Sequence, residues 1–191
     1  MERLVEIRWH GRGGQGAKTA AMLLAEAASD AGMHIQAFPE YGPERMGAPV
    51  LAYNRISNSP IRLRCHVNEP DIVVVLDPTL IGKVDVVKGL SEDGVLLINT
   101  DQAPEAIRAV LELSGQKIYT VDASKISLET IGRPIPNTPM MGALIKVTEI
   151  LPFESFMDVM REQLEEKFRT KPEVIKGNLE AIERAYREVK S

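Results

Sequence analysis

Two short, unbroken apolar runs constrain this chain more than any other feature. Residues 72–76 lie between Asp71 and Asp77, and residues 95–98 repeat the pattern before Asn99. A strand that is apolar at every position is covered on both faces, as in a parallel sheet. Helical patterns lie between the strands, which implies right-handed crossovers. The sequence therefore predicts a three-layer, Rossmann-like α/β fold, with a mostly parallel sheet and helices on both faces.

The remaining elements follow from periodicity and turn residues. Strands are predicted at residues 4–9, 34–38, 71–77, 95–99 and 118–122, and a β-hairpin insertion is predicted to pair 50–56 with 61–65 across a turn at 57–60. Helices are predicted at 17–31, 79–89, 104–113, 124–131 and 137–151. Two amphipathic helices are expected at the end of the chain, at 153–168 and behind Pro172. The pattern shows no linker, so residues 1–191 are expected to form a single domain.

Composition excludes several classes of function. The 191 residues carry a formal charge of −4, and no basic run interleaves with aromatic residues, so neither nucleic acid nor a membrane is an expected partner. The one cysteine, Cys65, cannot by itself hold an iron–sulfur cluster. No residue spacing suits a metal site or a catalytic triad, and no catalytic residue is assigned. The chain starts directly with a strand and has no long apolar run, so a cytoplasmic location is expected.

A glycine-rich run, residues 11–19, joins the first predicted strand to the first predicted helix. Glycine allows a sharp turn and close approach of a ligand to the backbone. The N–H groups at the start of a helix favour an anion such as phosphate. Arg12 and Lys18 add positive charge and Gln15 adds an amide, and a purely structural turn would not need them.

Two other readings of this run stay open at the level of residues. Gly11, Gly13 and Gly16 fit the dinucleotide fingerprint, which would make the chain a stand-alone NAD-binding dehydrogenase. Dinucleotide-binding proteins of this type place an acidic residue about 20 residues after the first glycine, at the end of the second strand, to hold the ribose. Here the second strand ends near Glu40, about 30 residues after Gly11. Alternatively, the glycines serve only a tight turn and close packing in a scaffold subunit.

Two further segments are candidates for the same site. The Pro- and Gly-rich loop 39–49 follows the second strand, so it is expected at the sheet edge that carries the glycine run, where Arg45 could reach an anion. Asn137 precedes Thr138 and Pro139 at the start of a helix, where Asn137 or Thr138 is expected to cap the first turn. A cap residue can also line a ligand site.

The three segments together resemble one family. The sequences Gly-Arg-Gly-Gly-Gln-Gly at 11–16, Tyr-Gly-Pro-Glu-Arg-Met-Gly at 41–47 and Asn-Thr-Pro-Met-Met-Gly-Ala at 137–143 are similar to the gamma subunit of 2-oxoacid:ferredoxin oxidoreductases, with the pyruvate enzyme as the expected member. The resemblance implies a multi-subunit enzyme that oxidatively decarboxylates a 2-oxoacid with coenzyme A, giving acyl-CoA, CO2 and reduced ferredoxin. This chain alone is expected to be inactive.

The resemblance also implies where the cofactors lie. Thiamine diphosphate, Mg and the iron–sulfur clusters are expected on alpha, beta and delta-type partner subunits, and ferredoxin meets the complex as a whole. The gamma chain is expected to contribute to coenzyme A binding and to assembly. The residues expected to bind coenzyme A are Arg12, Gly13, Gly14, Gln15, Gly16, Lys18, Arg45 and Asn137.

Overall fold

The computed structural model describes residues 4–40 and 47–191. In this part of the chain the strands are β1 (Leu4–Arg12), β2 (His34–Glu40), β3 (Pro49–Ser57), β4 (Ile72–Val75), β5 (Val95–Asn99) and β6 (Lys117–Val121). The helices are α1 (Ala17–Asp30), α2 (Pro104–Leu111), α3 (Ala123–Ile131), α4 (Asn137–Thr148), α5 (Phe153–Lys167) and α6 (Pro172–Glu188). The predicted strands at the two apolar runs are confirmed as β4 and β5.

The strands form one mixed sheet in the order β2-β3-β1-β4-β5-β6. The β1, β4, β5 and β6 strands are parallel, whereas β3 runs antiparallel to both β1 and β2. Since β3 reverses direction between them, β1 and β2 point the same way. The predicted α/β class is confirmed, and the carboxyl ends of β1, β2, β4, β5 and β6 share one edge of the sheet.

Apolar cores lie on both faces of the sheet. One core joins the sheet to α1, α3, α4, α5 and α6, with Leu24, Met140 and Phe156 fully enclosed. A smaller core on the opposite face packs Ile107 of α2 and the connecting segment 80–90 against β4 and β5. The prediction of helices on both faces is therefore confirmed, although most of the helices lie on one side.

The two sides of β1 meet these two layers with different side chains. Val5, Ile7 and Trp9 point into the larger core. On the other side, the buried Arg8 donates from Nε to Nε2 of His10 at 3.0 Å, and from Nη2 to the carbonyl oxygens of Val86 and Lys88 at 3.1 and 2.6 Å. The strand is therefore enclosed on both sides, by apolar packing on one and by hydrogen bonds on the other.

The predicted hairpin between residues 50–56 and 61–65 is wrong. Residues 61–65 form no strand, and β3 pairs instead with β1 and β2. Residues 61–66 are attached to the sheet by hydrogen bonds from side chains, and not by the backbone hydrogen bonds of a paired strand. Gln36 donates to the carbonyl of Leu63 at 2.9 Å, and Arg55 donates to the carbonyl of His66 at 3.3 Å. The long polar side chains of β2 and β3 therefore replace the expected strand.

The predicted helix at residues 79–89 is also wrong. Only the single 3-10 turn Pro78–Leu80 forms, followed by irregular turns. The helix is interrupted near its start, because Ile81 is extended, with ψ of 128°, and Gly82 has a positive φ of 79°, which a right-handed helix does not allow. Near the end of the segment, the carbonyls of Val86 and Lys88 accept hydrogen bonds from Arg8, which fasten it to β1. The apolar residues of this segment pack on the sheet without a helical backbone.

The two C-terminal amphipathic helices are confirmed as α5 and α6. The last helix packs against α4 at backbone distance, since a Cβ atom at Gly142 would lie 2.2 Å from the carbonyl oxygen of Ile182. Beyond α6, Lys190 forms an antiparallel bridge to Thr120 on the outer strand β6, with N···O distances of 2.8 and 3.1 Å. Within 4–40 and 47–191, no helix is long and apolar enough to cross a membrane.

Candidate functional site

The glycine loop connects β1 to α1 at the carboxyl edge of the sheet. Gly11 and Arg12 belong to β1, so the loop proper is residues 13–16, followed at once by the first turn of α1. Gly16 occupies the N-cap position, and no side chain caps the helix. The first N–H groups of a helix have no carbonyl partner inside it, so the start of α1 presents donors to this edge.

Gly14 and Gly16 are required for different reasons. Both have left-handed backbone conformations, with φ of 96° and 82°. A Cβ atom at Gly14 would meet no atom within 4 Å, so the space beside this exposed residue is open. At Gly16, a Cβ atom would lie only 2.6 Å from Nδ2 of Asn137. Gly14 therefore keeps the loop accessible, whereas Gly16 lets α4 approach the loop.

Side chains of the loop form a hydrogen-bonded network centred on Asp77. Oδ2 of Asp77 accepts from Nε of Arg12 at 3.0 Å and from Nε2 of Gln15 at 2.8 Å. Oδ1 accepts from the backbone N–H and from Oγ1 of Thr79, at 2.9 and 2.7 Å. Oε1 of Gln15 in turn accepts the backbone N–H of Arg12 at 2.7 Å. The network joins the glycine loop to the segment that follows β4.

Hydrogen bonds favour the ionised form of the Asp77 carboxylate. Burial alone would raise the pKa of Asp77, but hydrogen bonds from Thr79 and Gln15 outweigh burial, and Arg12 adds a favourable charge. The net pKa of Asp77 is lowered. The carboxylate is 10% exposed and the paired guanidinium 24% exposed, so the ion pair lies mostly out of solvent. Arg12 and Asp77 therefore neutralise one another beside the loop.

The loop after β2 returns to the glycine loop, as predicted. The backbone N–H of Gly13 donates to the carbonyl of Ala48 at 3.1 Å, and Nη1 of Arg12 donates to the carbonyl of Gly47 at 2.9 Å. These contacts bring the two segments to the same edge of the sheet. Arg45, the charged residue expected there, lies outside the described residues.

A cleft of about 1050 Å³ lies between α1, α4, α5 and α6, and it reaches the glycine loop through Asn137, which packs against Gly16. The exposed Lys18 lies on its α1 wall, and Asn137 and Thr138 lie on its α4 wall. Its other charged lining residues are Glu26, Arg133, Glu166, Lys167, Lys171 and Glu173. The prediction that Asn137 or Thr138 caps α4 is wrong, because the helix begins at Asn137 and Pro136 is the N-cap residue. Asn137 instead packs against Gly16.

The structure disfavours the NAD-binding reading of the glycine pattern. Strand β3 separates β1 from β2, so the end of β2 lies two strands, or roughly 10 Å, from β1. Glu40, the acidic residue at that end, accepts a hydrogen bond from the hydroxyl of Tyr53. A carboxylate placed and paired in this way does not reach a ribose above the glycine loop.

The sequence reasoning missed Asp77 and Thr79. Asp77 was recognised only as a residue at the end of an apolar strand. The sequence holds a usable signal, since β1 ends at the charged Arg12, Asp77 closely follows β4, and the carboxyl ends of parallel strands meet at one edge. The missing information was that β4, rather than β2, is the neighbour of β1 on the parallel side.

Together, the sheet and the loop define an α/β protein that presents a glycine-rich turn and a helix N-terminus at the carboxyl edge of parallel strands. Comparison with known proteins narrows this class. The sequence model for pyruvate ferredoxin/flavodoxin oxidoreductase matches residues 6–188. Pyruvate synthase subunit PorC of Thermotoga maritima is 51% identical over 189 residues, which span 99% of this chain and 96% of that protein.

A second relative and a solved structure agree. The pyruvate/ketoisovalerate oxidoreductases common subunit gamma of Pyrococcus abyssi is 49% identical over 159 residues, covering 83% of this chain and 86% of that protein. The crystal structure of pyruvate oxidoreductase subunit PORC from Thermotoga maritima matches with a TM-score of 0.85 and 49% identity, over 98% of each chain. The chain therefore belongs to the pyruvate ferredoxin/flavodoxin oxidoreductase family, as a gamma-type subunit of an oxidoreductase. The resemblance stated from the sequence is confirmed.

Proposed function

We propose that this chain is the gamma subunit of a complex that oxidises pyruvate or a related 2-oxoacid, and that its glycine loop binds the diphosphate of coenzyme A. The complex would pass electrons to ferredoxin and release acyl-CoA and CO2. The observation that carries the proposal is the geometry at Gly14, where an open, exposed glycine adjoins the N-terminus of α1. Such a helix end favours a phosphate group.

Other features of the site support this proposal. Gly13, Gly14 and Gly16 offer backbone without side chains, and Lys18 and Asn137 line the cleft that reaches the loop at Gly16. Arg45 stays a proposed charge partner. Arg12 and Gln15 belong to the proposed site through the loop that they form with Asp77.

The redox and thiamine chemistry is assigned to other chains. A [4Fe–4S] or [2Fe–2S] cluster is held by several cysteine thiolates, and this sequence contains only Cys65. Within the described residues, no group of three His, Cys, Asp or Glu side chains could hold a metal ion. As the family resemblance implies, we propose that thiamine diphosphate, Mg and the clusters lie on alpha, beta and delta-type partners, in a cytoplasmic complex that binds neither nucleic acid nor membrane.

The test compares two glycines at opposite ends of α1. Gly14 and Gly32 both have positive φ and open space where a Cβ would lie, so alanine strains both positions alike. The assembled complex with Gly14→Ala should show a KM for coenzyme A raised about 10-fold, because the loop shifts by a fraction of an ångström. The matched Gly32→Ala complex should keep the KM of the unmodified complex.

Removal of charge provides an independent measurement. Lys18→Ala should raise the KM for coenzyme A about 10-fold, the effect of losing one charge-assisted hydrogen bond. Lys125, on the exposed first turn of α3, serves as the matched control. Unchanged KM values for both Gly14→Ala and Lys18→Ala would contradict coenzyme A binding and leave the chain as a scaffold subunit.

A further inference from the structure

The Asp77 carboxylate accepts four hydrogen bonds from neighbouring protein groups. Both of its oxygens are used, and they accept from Arg12, from Gln15 and twice from Thr79. The residue is held at the end of β4 by the register with β1, where the N–H of Leu76 donates to the carbonyl of His10 at 2.7 Å. Asp77 is therefore fixed by the sheet, and the side chains of Arg12 and Gln15 attach the glycine loop to it.

Arg12 is engaged at each of its three side-chain nitrogens. Nε pairs with Asp77, Nη1 donates to the carbonyl of Gly47, and Nη2 donates to Oγ1 of Thr79 at 3.0 Å. These acceptors lie on the segment after β4 and on the segment before β3. A guanidinium held in this way joins three parts of the sheet edge, and its charge is already balanced by a carboxylate.

Gln15 extends the same arrangement to the loop backbone. Its amide nitrogen donates to Asp77 while its amide oxygen accepts the N–H of Arg12, and the N–H of Gln15 donates to the carbonyl of Arg12 at 3.0 Å. The turn around Gly13 and Gly14 is thus closed by both main-chain and side-chain bonds. These bonds, and not a side-chain contact to Gly14, hold Gly14 in its left-handed conformation.

We propose that Asp77 and Arg12 form a clamp that holds the glycine loop in its ligand-binding conformation, and that Arg12 acts through the loop instead of contacting the phosphate. This inference rests on the proposed function of the loop. Both residues are positioning residues: they keep the backbone donors of the loop in place before coenzyme A arrives. A pre-organised loop loses little conformational entropy on binding, which increases affinity.

Asp77→Asn separates the clamp from a direct ligand role of Arg12. If Arg12 acts as part of the clamp, Asp77→Asn and Arg12→Gln should each raise the KM for coenzyme A about 10-fold in the assembled complex, with kcat unchanged. The KM of the double variant should be no higher than that of either single variant, because the two residues act as one unit. If Arg12 binds phosphate, Asp77→Asn frees its charge, and an unchanged or lowered KM in that variant would overturn the proposal.

Two further variants keep the test decisive. Thr79→Val removes the hydroxyl contacts to both Asp77 and Arg12 at nearly constant volume, and it should raise the KM about threefold even if Asp77→Asn impairs assembly. Arg184 is a matched control, since its side chain is also 24% exposed and ion-paired, with Glu129 and Glu188 remote from the loop. Arg184→Gln should leave the KM unchanged.

The results distinguish failure of the clamp from failure of coenzyme A binding. Raised KM values for Gly14→Ala and Lys18→Ala, together with an unchanged value for Asp77→Asn, overturn only the clamp. Unchanged values in all of these variants overturn both proposals. Additive losses in the double variant also overturn the clamp, because independent contributions would show that Arg12 and Asp77 do not act together.

Discussion

The two faces of β1 are both buried, yet they are buried by different chemistry. Ile7 and Trp9 are completely buried on the α1 side, where their surroundings are apolar except for Asn54, which accepts a hydrogen bond from the Trp9 indole. Arg8 and His10 are only 6% and 5% exposed on the opposite side, where their neighbours are carbonyl oxygens and charged side chains. Adjacent residues of one strand therefore depend on two unrelated sources of stability.

This difference changes how substitutions should combine. On the apolar face, each side chain contributes through area removed from water and through close packing, so losses accumulate. On the polar face, each group is stable because its partner is present, and loss of one partner leaves the other buried and unsatisfied. A second substitution can then restore part of the stability, which purely apolar neighbours such as Ile7 do not allow.

The largest effect is expected at Trp9. Trp9→Ala should lower the free energy of unfolding of the full chain by about 4 kcal/mol, because it leaves a cavity in the larger core. It also leaves Oδ1 of Asn54 without the indole N–H that donates to it at 2.8 Å. Urea denaturation measures the change. Trp9→Phe, which keeps most of the volume, should cost less than half as much, and equal losses would show that packing does not dominate this face.

The next effect concerns the buried ion pair on the polar face. Arg55, which is 1% exposed at its side chain, donates from Nε to Glu6 at 2.6 Å. Arg55→Met should destabilise the chain by about 3 kcal/mol, because it removes the ion-pair partner of the mostly buried Glu6 side chain. Combining it with Glu6→Leu should recover at least about 1 kcal/mol in the same urea assay. A double variant that loses the sum of both single losses would remove the distinction between the two faces.

The smallest effect is a pH dependence at His10. Burial, followed by the nearby charge of Arg8, lowers the pKa of His10 to about 3 from an ordinary value of 6.5. The unfolded chain therefore takes up a proton near pH 6.5 that the folded chain refuses, and stability falls as the pH falls below that value. Between about pH 7.5 and pH 5.5 this residue should account for a loss of about 1.4 kcal/mol.

His10→Gln provides the comparison for that measurement. Glutamine does not titrate, so the variant should lose less stability than the parent chain over the same pH interval, by about 1.4 kcal/mol. Contributions from His34, His66 and the carboxylates are common to both chains and cancel in the difference. Parallel pH profiles for the two chains would show that His10 is not held neutral by the polar face.

Local pattern was sufficient for much of this fold. Residues 72–76 and 95–98 are apolar throughout, and this pattern alone predicts strands buried on both faces, whichever strands lie beside them. The alternation in β1 predicted a strand, but it could not reveal that Arg8 is buried. Its burial depends on the carbonyls of Val86 and Lys88, about 80 positions along the chain. The helix predicted at residues 79–89 fails for a local reason, because Ile81 is extended and Gly82 has a positive φ.

The candidate site also has features that local sequence predicts and features that depend on distant parts of the chain. The glycine positions and the loop after β2 were predicted to share an edge, because both follow strands that point the same way. The partners of Arg12 and Gln15 were not predictable from the glycine run, since Asp77 reaches them only through the pairing of β1 with β4. Gly16 likewise has a reason that appears only with α4 in place, where Asn137 takes the space of a side chain.

The bridge between Thr120 and Lys190 has a consequence for growth of the sheet. An uncovered edge strand is a template to which a strand from another molecule can add. At the β6 edge the chain occupies backbone groups with its own residue, whereas at the opposite edge β2 carries Pro39, which cannot donate a hydrogen bond, and the charged Glu40. The chain thus discourages edge-to-edge pairing of identical copies at both borders of the sheet by different means: a backbone bridge of its own at β6, and a proline beside a charged residue at β2.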